Sequence, residues 1–530
     1  MIYSLSFKNI NDILKEHDLL LETNADAFEE TEIIRKITYD SRTSDPDSLF
    51  ICKGVSFKEE YFYQAKTNGF AAYVSEHIYD RSVTYFHVSD VKKALSVLSI
   101  AFFKRPSQAF KLTGITGTAG KTTTTYMLHS ILNEAAGKTT GIISTNETYC
   151  GGVRKEAENT TPESLKLQEL FAEAKENEIP YVTMEVSSQA YSVDRVYDQI
   201  FDIGVFMNID MDHIGGPEHP SYEHYRDCKM QLIKNSRTML VYARTKEMQL
   251  IIDTAKESDC KLVIFDVFDE ISDGTSDTKT LFEASPDPEK LKNELGRDIA
   301  YYYIDNVRRE EKGGYVFSFN KSSDGKDIST EEYAIDLTGH FNLVNAAAAI
   351  ASAYELGIAS DHIRKGISHV FVPGRMNIYK KDNTTIIVDY AHNRLTLLEF
   401  LKSCVSDYPG HKFSVVIGAA GKNHLRRKDI GGLCSEYADY IYLTEEDPDF
   451  EDPREICEDI ATYIPEGSAG YEIEPDRTKA IEKALKDNIN DTGATVVAIL
   501  GKGMEAFSKF KGKHIPYESD SGVVERVLDI

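Results

Sequence analysis

The sequence predicts the α/β class in three domains. These are an N-terminal α/β domain over residues 1–108, a central doubly wound domain over 109–371 and a C-terminal Rossmann-like α/β domain over 372–530. Three observations predict it. A chain of 530 residues exceeds one core, since a domain holds about 100–200. From residue 111 onward, apolar runs of strand length alternate with stretches of helical periodicity, the pattern of a parallel sheet with helices on both faces. The later strands also end in Gly- or Asp-rich turns, where open α/β sheets bind their ligands.

The elements follow in order. "SLFICKGV", "AAYVSE" and "TYFHVS" read as short strands between turns, and "KRPSQAF" (104–110) as a linker. "FKLTGIT" is a short apolar strand. In "TTTTYMLHSILNEAAG", Met127, Leu128, Ile131, Leu132 and Ala135 recur at helical spacing, and Gly137 stands where a C-cap belongs. "YVTMEV" and "IGVFMNI" are short enough for buried strands. Residues 266–330 are acidic and turn-rich, and read as an elaborated, largely solvated region. Near "VFVPGRMN" (370–377) the alternation restarts, with strands at "TTIIVDYAH", "KFSVVIGAAG", "DYIYLTEEDP" and "TVVAILGKG".

Composition excludes several classes. A net charge of -26 argues against the nucleic-acid backbone as a partner, while leaving room for a small anionic substrate beside local basic groups. No apolar run approaches the ~18 residues of a membrane helix, so no membrane insertion is expected. The N-terminus scatters charges where a signal peptide would have an apolar core. Seven widely spaced cysteines without C-x-x-C fit a reducing cytoplasm better than a disulfide framework or structural zinc. A monomer is expected.

The chemistry begins at residues 114–125, "GITGTAGKTTTT". The strict phosphate-loop pattern G-x-x-x-x-G-K-[ST] needs glycine at position 115, where Ile115 stands. The physical requirements are nevertheless met by an apolar strand, a tight loop whose backbone N–H groups can cradle phosphates, a lysine and a helix start. Gly117 and Gly120 permit unusual torsions around Thr118 and Ala119. Lys121 can reach the β- and γ-phosphates of ATP, and the hydroxyl of Thr122, followed by Thr123, can ligate Mg²⁺. The base-reading N-K-x-D of GTPase switches is missing, "NKSSD" (320–324) being one residue too long. Glu185 ends an apolar strand, where a carboxylate needs a partner; it is either a strand-end cap or a magnesium ligand. After the next strand, "NIDMDHIGGPEHPSYEHYRDCK" (208–229) offers Asp212, His213 and Lys229.

Together these residues resemble the Mur ligase family, the ATP-dependent enzymes that build the peptide of bacterial cell-wall precursors. The family's loop, T-G-T-x-G-K-[ST], matches Thr116 to Thr122, and does not call for glycine at 115. "YDSR" (39–42) resembles the segment holding the uridine end of the substrate, which implies Ser41 as a contact. "NTTPES" (159–164) and "EVSSQAYSVDRV" resemble the muramoyl-peptide contacts, implying Asn159, Thr160, Thr161, Ser187 and Arg195. "GHFNLVNAAAA" (339–349) implies Asn342 and Asn345 on the adenine side. "PGRM" and "DYAHN" imply Arg375, Asp389 and His392 as elements that close over ATP. The resemblance also implies two Mg²⁺ ions, one on Thr122 and Glu185 and one on His213 and Lys229, the lysine serving as a CO₂-derived carbamate; an unmodified lysine contacting phosphate stays open. The catalytic set it implies is Lys121, Glu185, His213 and Lys229.

Within the family, "YDSR", "TTPE", "EEDPDFEDP" and "GKGME" resemble the members that add the third residue, extending UDP-N-acetylmuramoyl-L-alanyl-D-glutamate through an acyl phosphate. Members using diaminopimelate carry D-N-P-R where this chain has Glu446, Asp447, Pro448 and Asp449. An arginine grips the distal carboxylate of diaminopimelate, whereas acids favour the ammonium of L-lysine. Glu505 would complete that site, and Arg427, or a neighbour within two positions, would bind the amino acid's α-carboxylate. Ornithine satisfies the same charges, Asp449 can equally be a solvated loop acid, and diaminopimelate or a non-catalytic ATP-binding role are the further alternatives.

Overall fold

The computed structural model describes residues 3–25, 33–54, 57–212, 214–215, 218–268, 299–310, 313–323, 326–421 and 423–530. Its described strands fall into three large sheets and two small two-stranded ones. The first large sheet is 5-stranded, in the order 20–23, 84–88, 72–75, 48–51, 36–38, parallel except for its first strand. It packs under the apolar faces of helices Phe7–Glu16 and Val91–Phe102. The expected linker forms a single 3₁₀ turn, Pro106–Ala109, and Phe110 is buried against Phe171.

The second sheet is 11-stranded. At its centre lies β1 (Lys111–Thr116), flanked in parallel by β2 (Tyr181–Glu185) and β3 (Phe201–Phe206). The parallel run continues through 236–242, 261–267 and 300–309. Helix α1 (Lys121–Ala136) follows β1. Gly137 takes a left-handed φ of 62° at its C-cap, where the sequence sets it. This helix is buried on more than its apolar stripe because α2 (Phe341–Glu355) covers its other side; the alanine run 346–349 lets the two helices approach closely.

The reading of 266–330 as solvated is corrected for its described part. Residues 300–309, 315–323 and 326–335 are strands that extend the central sheet, the last two antiparallel. Tyr302, Ile304, Phe317 and Phe319 are buried against α2. The acidic residues of 266–298 dominate the composition of this stretch and conceal the strands, whose buried Tyr301, Tyr302, Ile304, Phe317 and Phe319 are interleaved with polar residues such as Asp305, Ser318 and Lys321. Residues 269–298 lie outside the described residues.

The third sheet is 6-stranded, ordered 377–381, 384–389, 495–500, 412–417, 440–443, 470–473, and parallel except at 377–381. Its four core strands are the four apolar runs of the sequence. A hairpin, 507–510 with 513–516, stands beside it. Among the described residues, no helix is long and apolar enough to cross a membrane.

Candidate active site

The loop Gly117–Gly120 leaves the end of β1 and enters α1. Ile115 is still strand here, fully buried and in register with Glu185 of β2, so a loop glycine has no place at 115. Gly120 takes φ 84°, and a Cβ there would lie 2.5 Å from Oδ1 of Asn345 on α2. Glycine is therefore required twice, by torsion and by close approach. Asn208, just beyond β3, fixes the loop: its Oδ1 accepts the Ala119 N–H at 2.8 Å and its carbonyl the Thr118 N–H at 3.1 Å.

Lys121 and Lys229 converge on one atom. Each Nζ donates to the carbonyl oxygen of Gly117 at 2.8 Å. Lys229 is buried and Lys121 half-buried, and desolvation holds both ammoniums below the usual lysine range; for Lys229 the shift is large, and the Lys121 charge adds to it. Lys229 also sits over the Tyr225 ring at 4.7 Å. Two cations facing one neutral oxygen form a cradle suited to added negative charge.

Glu185 supplies a neighbouring anion. It is fully buried; Oε1 accepts the Thr145 N–H at 2.9 Å and Oε2 the Thr145 hydroxyl at 3.2 Å. Among the described residues it makes no salt bridge, although Lys121 is near enough to feel its charge. A buried carboxylate held only by neutral donors, beside a phosphate-type loop and the Thr122 hydroxyl, fits a divalent cation by donor chemistry. His213 lies outside the described residues.

A cleft of about 1010 Å³ opens from this loop toward the third sheet. That is the upper end for small-molecule sites. Thr118 to Thr123, Glu185, Asn208 and Asn345 line one wall; Arg375, Asp389 and His392 line the other. Asn345 donates to Asn342 Oδ1 at 2.8 Å, and Asn342 donates to the Thr338 carbonyl at 2.7 Å, which orders the first turn of α2. The Arg375 guanidinium stacks on Tyr390, 4.2 Å from its centroid. Asp389, at the end of strand 384–389, accepts the Met376 and Ala391 N–H groups at 2.8 Å each, and burial raises its carboxyl above the usual range. His392 Nδ1 lies 2.7 Å from the Tyr390 carbonyl.

The two walls are tied together by Asp212. Its carboxylate accepts Arg426 Nη2 at 2.8 Å and Asn393 Nδ2 at 3.0 Å, both from the C-terminal part of the chain. No local pattern reveals this, because the partners are more than 180 residues away; an acid following a strand end was the available signal.

The residues matched to the muramoyl peptide form a second group. Thr161 Oγ1 donates to the Glu185 carbonyl at 3.0 Å and accepts the Ser187 N–H at 3.1 Å, and Thr160 meets Thr145 at 3.2 Å. Arg195 donates to the Thr161 carbonyl at 3.0 Å and to Glu163 at 2.8 Å. Glu163 also pairs with Lys53 of the first sheet's region, so this group borders the first domain. Asn159 is exposed. Ser41 is buried in the first domain and donates to Gln64 at 2.6 Å.

The acceptor-side residues divide. Helix α3 (His424–Tyr437) carries Arg427 and, within the two positions left open, Arg426. The Arg427 guanidinium is taken up by Glu451 at 2.6 Å and Asp459 at 3.0 Å, away from the cleft. Arg426, one residue back and about 100° around the helix, faces Asp212. Glu446 is buried with Oε2 lacking a hydrogen-bond partner, and burial pushes its carboxyl up to about 7. Asp447 and Glu505 share Lys502, at 2.8 and 3.0 Å, a lysine the sequence reading passed over. Glu505 also accepts from Tyr390 at 2.6 Å, which connects this cluster to the cleft wall. Asp449 stands apart: at φ 51° it accepts the Gly512 N–H at 2.7 Å and pairs its backbone with the hairpin. Pro448 accepts the Glu451 N–H at 3.0 Å in the turn between them.

This geometry has counterparts. The chain matches the Mur ligase middle domain over residues 115–353 and the Mur ligase glutamate ligase domain over residues 374–503. It is 36% identical to the UDP-N-acetylmuramyl-tripeptide synthetase of Lactobacillus delbrueckii subsp. bulgaricus over 97% of each chain. It is 33% identical to the UDP-N-acetylmuramoyl-L-alanyl-D-glutamate--L-lysine ligase of Enterococcus faecalis over 99% of each. Among solved structures it resembles a UDP-N-acetylmuramoyl-L-alanyl-D-glutamate--2,6-diaminopimelate ligase, with TM-score 0.61, 20% identity and 99% of both chains covered. It also resembles the MurF ligase of Thermotoga maritima in complex with ADP, with TM-score 0.58, 18% identity, and 93% and 96% covered.

The chain belongs to the Mur ligase family. It is an ATP-dependent ligase that forms an amide bond in peptidoglycan synthesis, and the family uses Mg²⁺.

Proposed function

We propose that this ligase joins L-lysine to the D-glutamate of UDP-N-acetylmuramoyl-L-alanyl-D-glutamate. The observation that carries the acceptor is the cluster of Glu446, Asp447 and Glu505, in which Lys502 pairs with Asp447 and Glu505 while one buried oxygen of Glu446 has no hydrogen-bond partner, although Arg426 and Arg477 are near enough to feel its charge. An incoming ammonium completes that balance, whereas a distal carboxylate would meet repulsion. The lysine-adding relatives, similar along the whole chain, support the same reading. Arg426 is then the arginine for the amino acid's α-carboxylate.

The domains divide the work. Residues 1–108 hold the UDP end through Ser41, residues 109–371 hold ATP and the reacting carboxylate, and residues 372–530 hold the amino acid. Gly117 to Thr123, Asn342 and Asn345 cradle ATP, with Arg375, Asp389 and His392 closing over it. Asn159, Thr160, Thr161, Ser187 and Arg195 hold the muramoyl dipeptide. The γ-phosphoryl group passes to the D-glutamate side-chain carboxylate. The α-amine of lysine attacks the acyl phosphate, and phosphate leaves. Lys121 screens the two anions that meet in the first step. Thr122, Glu185, His213 and Lys229 would hold Mg²⁺, which supplies further charge neutralisation at the phosphoryl oxygens.

As an ammonium Lys229 cannot ligate a cation; as a carbamate it offers carboxylate-type oxygens suited to Mg²⁺. Its neutral amine attacks CO₂, an N–C bond forms and a proton is released. Burial, which favours the neutral amine, supports that step. Closure of the third domain, through contacts such as Asp212 with Arg426, keeps water from the acyl phosphate. The protein acts as a cytoplasmic monomer, and its seven cysteines, all buried thiols, suit a reducing compartment.

The test is ADP release with UDP-muramoyl-dipeptide and one of L-lysine, L-ornithine or meso-diaminopimelate. Release with lysine is expected. Equal release with diaminopimelate overturns the acceptor reading, and no release with any of the three acceptors favours a non-catalytic member of the fold. Glu446 adds a pH signature. Below pH about 7 it is protonated and neutral; above, it is ionised and attracts the acceptor's ammonium. KM for lysine is expected to rise as pH falls below 7, by at most about tenfold per unit for one proton. Glu446→Gln should raise KM and flatten this dependence; an unchanged profile would remove Glu446 from the site.

A further inference from the structure

Helix α4 — the label here is given to Tyr222–Lys234, which lies between β3 and strand 236–242 — carries a cluster that the ligation chemistry does not use. Ser221 caps the helix, its hydroxyl accepting the His224 N–H at 3.3 Å. His224 and Cys228 are four residues apart and share one face. His219, fully buried in the preceding turn, is oriented from two sides. Its Nε2 lies 2.9 Å from the Ser188 hydroxyl, and its carbonyl accepts the Gly215 N–H at 2.8 Å. Its Nδ1 is thereby aimed at the helix, 2.9 Å from His224 Nδ1, and His224 Nδ1 is 4.0 Å from Cys228 Sγ. All three donor atoms lie within 4.8 Å of one another.

We propose that His219, His224 and Cys228 form a binding site for Zn²⁺ or a similar thiophilic divalent cation, separate from the Mg²⁺ of the ligation site.

The donor set is the argument. Two imidazole nitrogens and a thiolate are the ligands that borderline-soft cations prefer, while Mg²⁺ takes oxygen. Tetrahedral Zn²⁺ at its usual bond lengths sets nitrogens about 3.3 Å apart and nitrogen from sulfur about 3.6 Å apart. The observed separations bracket those values, so small side-chain shifts suffice. The Ser188 contact on the far nitrogen of His219 is the outer-shell partner that orients metal-bound histidines. Three protein ligands leave a fourth position for water. Half-buried His224 gives a path from solvent. Lys229, the next residue after Cys228, points about 100° around the helix to Gly117, so the two sites share a helix without sharing a ligand.

The experiment is titration of the full-length, chelator-treated protein with Co²⁺, followed by Zn²⁺ competition. One equivalent of Co²⁺ should give a thiolate-to-cobalt charge-transfer band that Zn²⁺ abolishes. Cys228→Ser should lose the band. His224→Gln should weaken binding by more than about tenfold, since even outer-shell losses cost 10–100-fold. Circular dichroism and retained ADP release check that both variants fold. A third measurement needs no variant: Zn²⁺ should protect Cys228 of the wild-type protein from alkylation, mapped by mass spectrometry. Absence of the band, a band that persists in Cys228→Ser, or alkylation of Cys228 at an unchanged rate each overturns the proposal.

Discussion

Lys121→Ala is expected to lower the rate of ADP release by about 10²–10³-fold at saturating substrates, the usual loss when one donor to a developing charge is removed. The structure sharpens what should accompany that loss. In the described arrangement Lys121 donates only to the carbonyls of Gly117 and Thr118, and burial disfavours its charge. Removing a half-buried ammonium that makes no salt bridge among the described residues relieves a desolvation penalty. The variant should therefore melt no lower than wild type, and the loss should appear in turnover and ATP affinity. Lys121→Arg should also be poor, because the planar guanidinium cannot occupy the same point beside Gly117. ADP release by Lys121→Ala within tenfold of wild type would show that the loop lysine does not screen the phosphoryl group.

The loop and its strand were legible because their requirements are local: one apolar strand, two glycines, a lysine and a helix start within a dozen residues. The four core strands of the third sheet were legible for the same reason, as apolar runs ended by turns. What failed to show depended on distance or phase. The strands at 300–309 and 315–323 set buried Tyr302, Ile304, Phe317 and Phe319 among polar residues and follow an acidic run, so the average composition of the stretch resembled a loop. Arg426 and Arg427 differ by one position, yet a helix turns that difference into opposite surroundings, Asp212 for one and Glu451 with Asp459 for the other. Asp449 also accepts the Gly512 N–H of a hairpin that follows 63 residues later in the chain, a contact no local pattern announces. Lys502 lies in the quoted "GKGME", and its pairing with Asp447 shows only once the chain is folded. In each case the missing information was a partner's location in space.

Lys229→Ala should lose activity on the scale of Lys121→Ala, but with a different remedy. If Lys229 acts as a carbamate, the alanine variant lacks an anion, and a small carboxylic acid at high concentration should partly restore ADP release. If it acts as an ammonium, an alkylamine should restore it and a carboxylic acid should not. The setting favours the first outcome. Lys229 is 2% exposed, it donates to the Gly117 carbonyl and sits over the Tyr225 ring, and Lys121 adds a second positive charge. Keeping two ammoniums against one carbonyl in a buried site is unfavourable, whereas converting one to a carbamate gives Lys121 an opposite charge nearby. The carbamate reading also requires that wild-type activity fall when CO₂ and bicarbonate are removed and recover when they are returned. Wild-type-like turnover of Lys229→Ala, rescue by the amine alone, or indifference to CO₂ would each return Lys229 to an unmodified lysine.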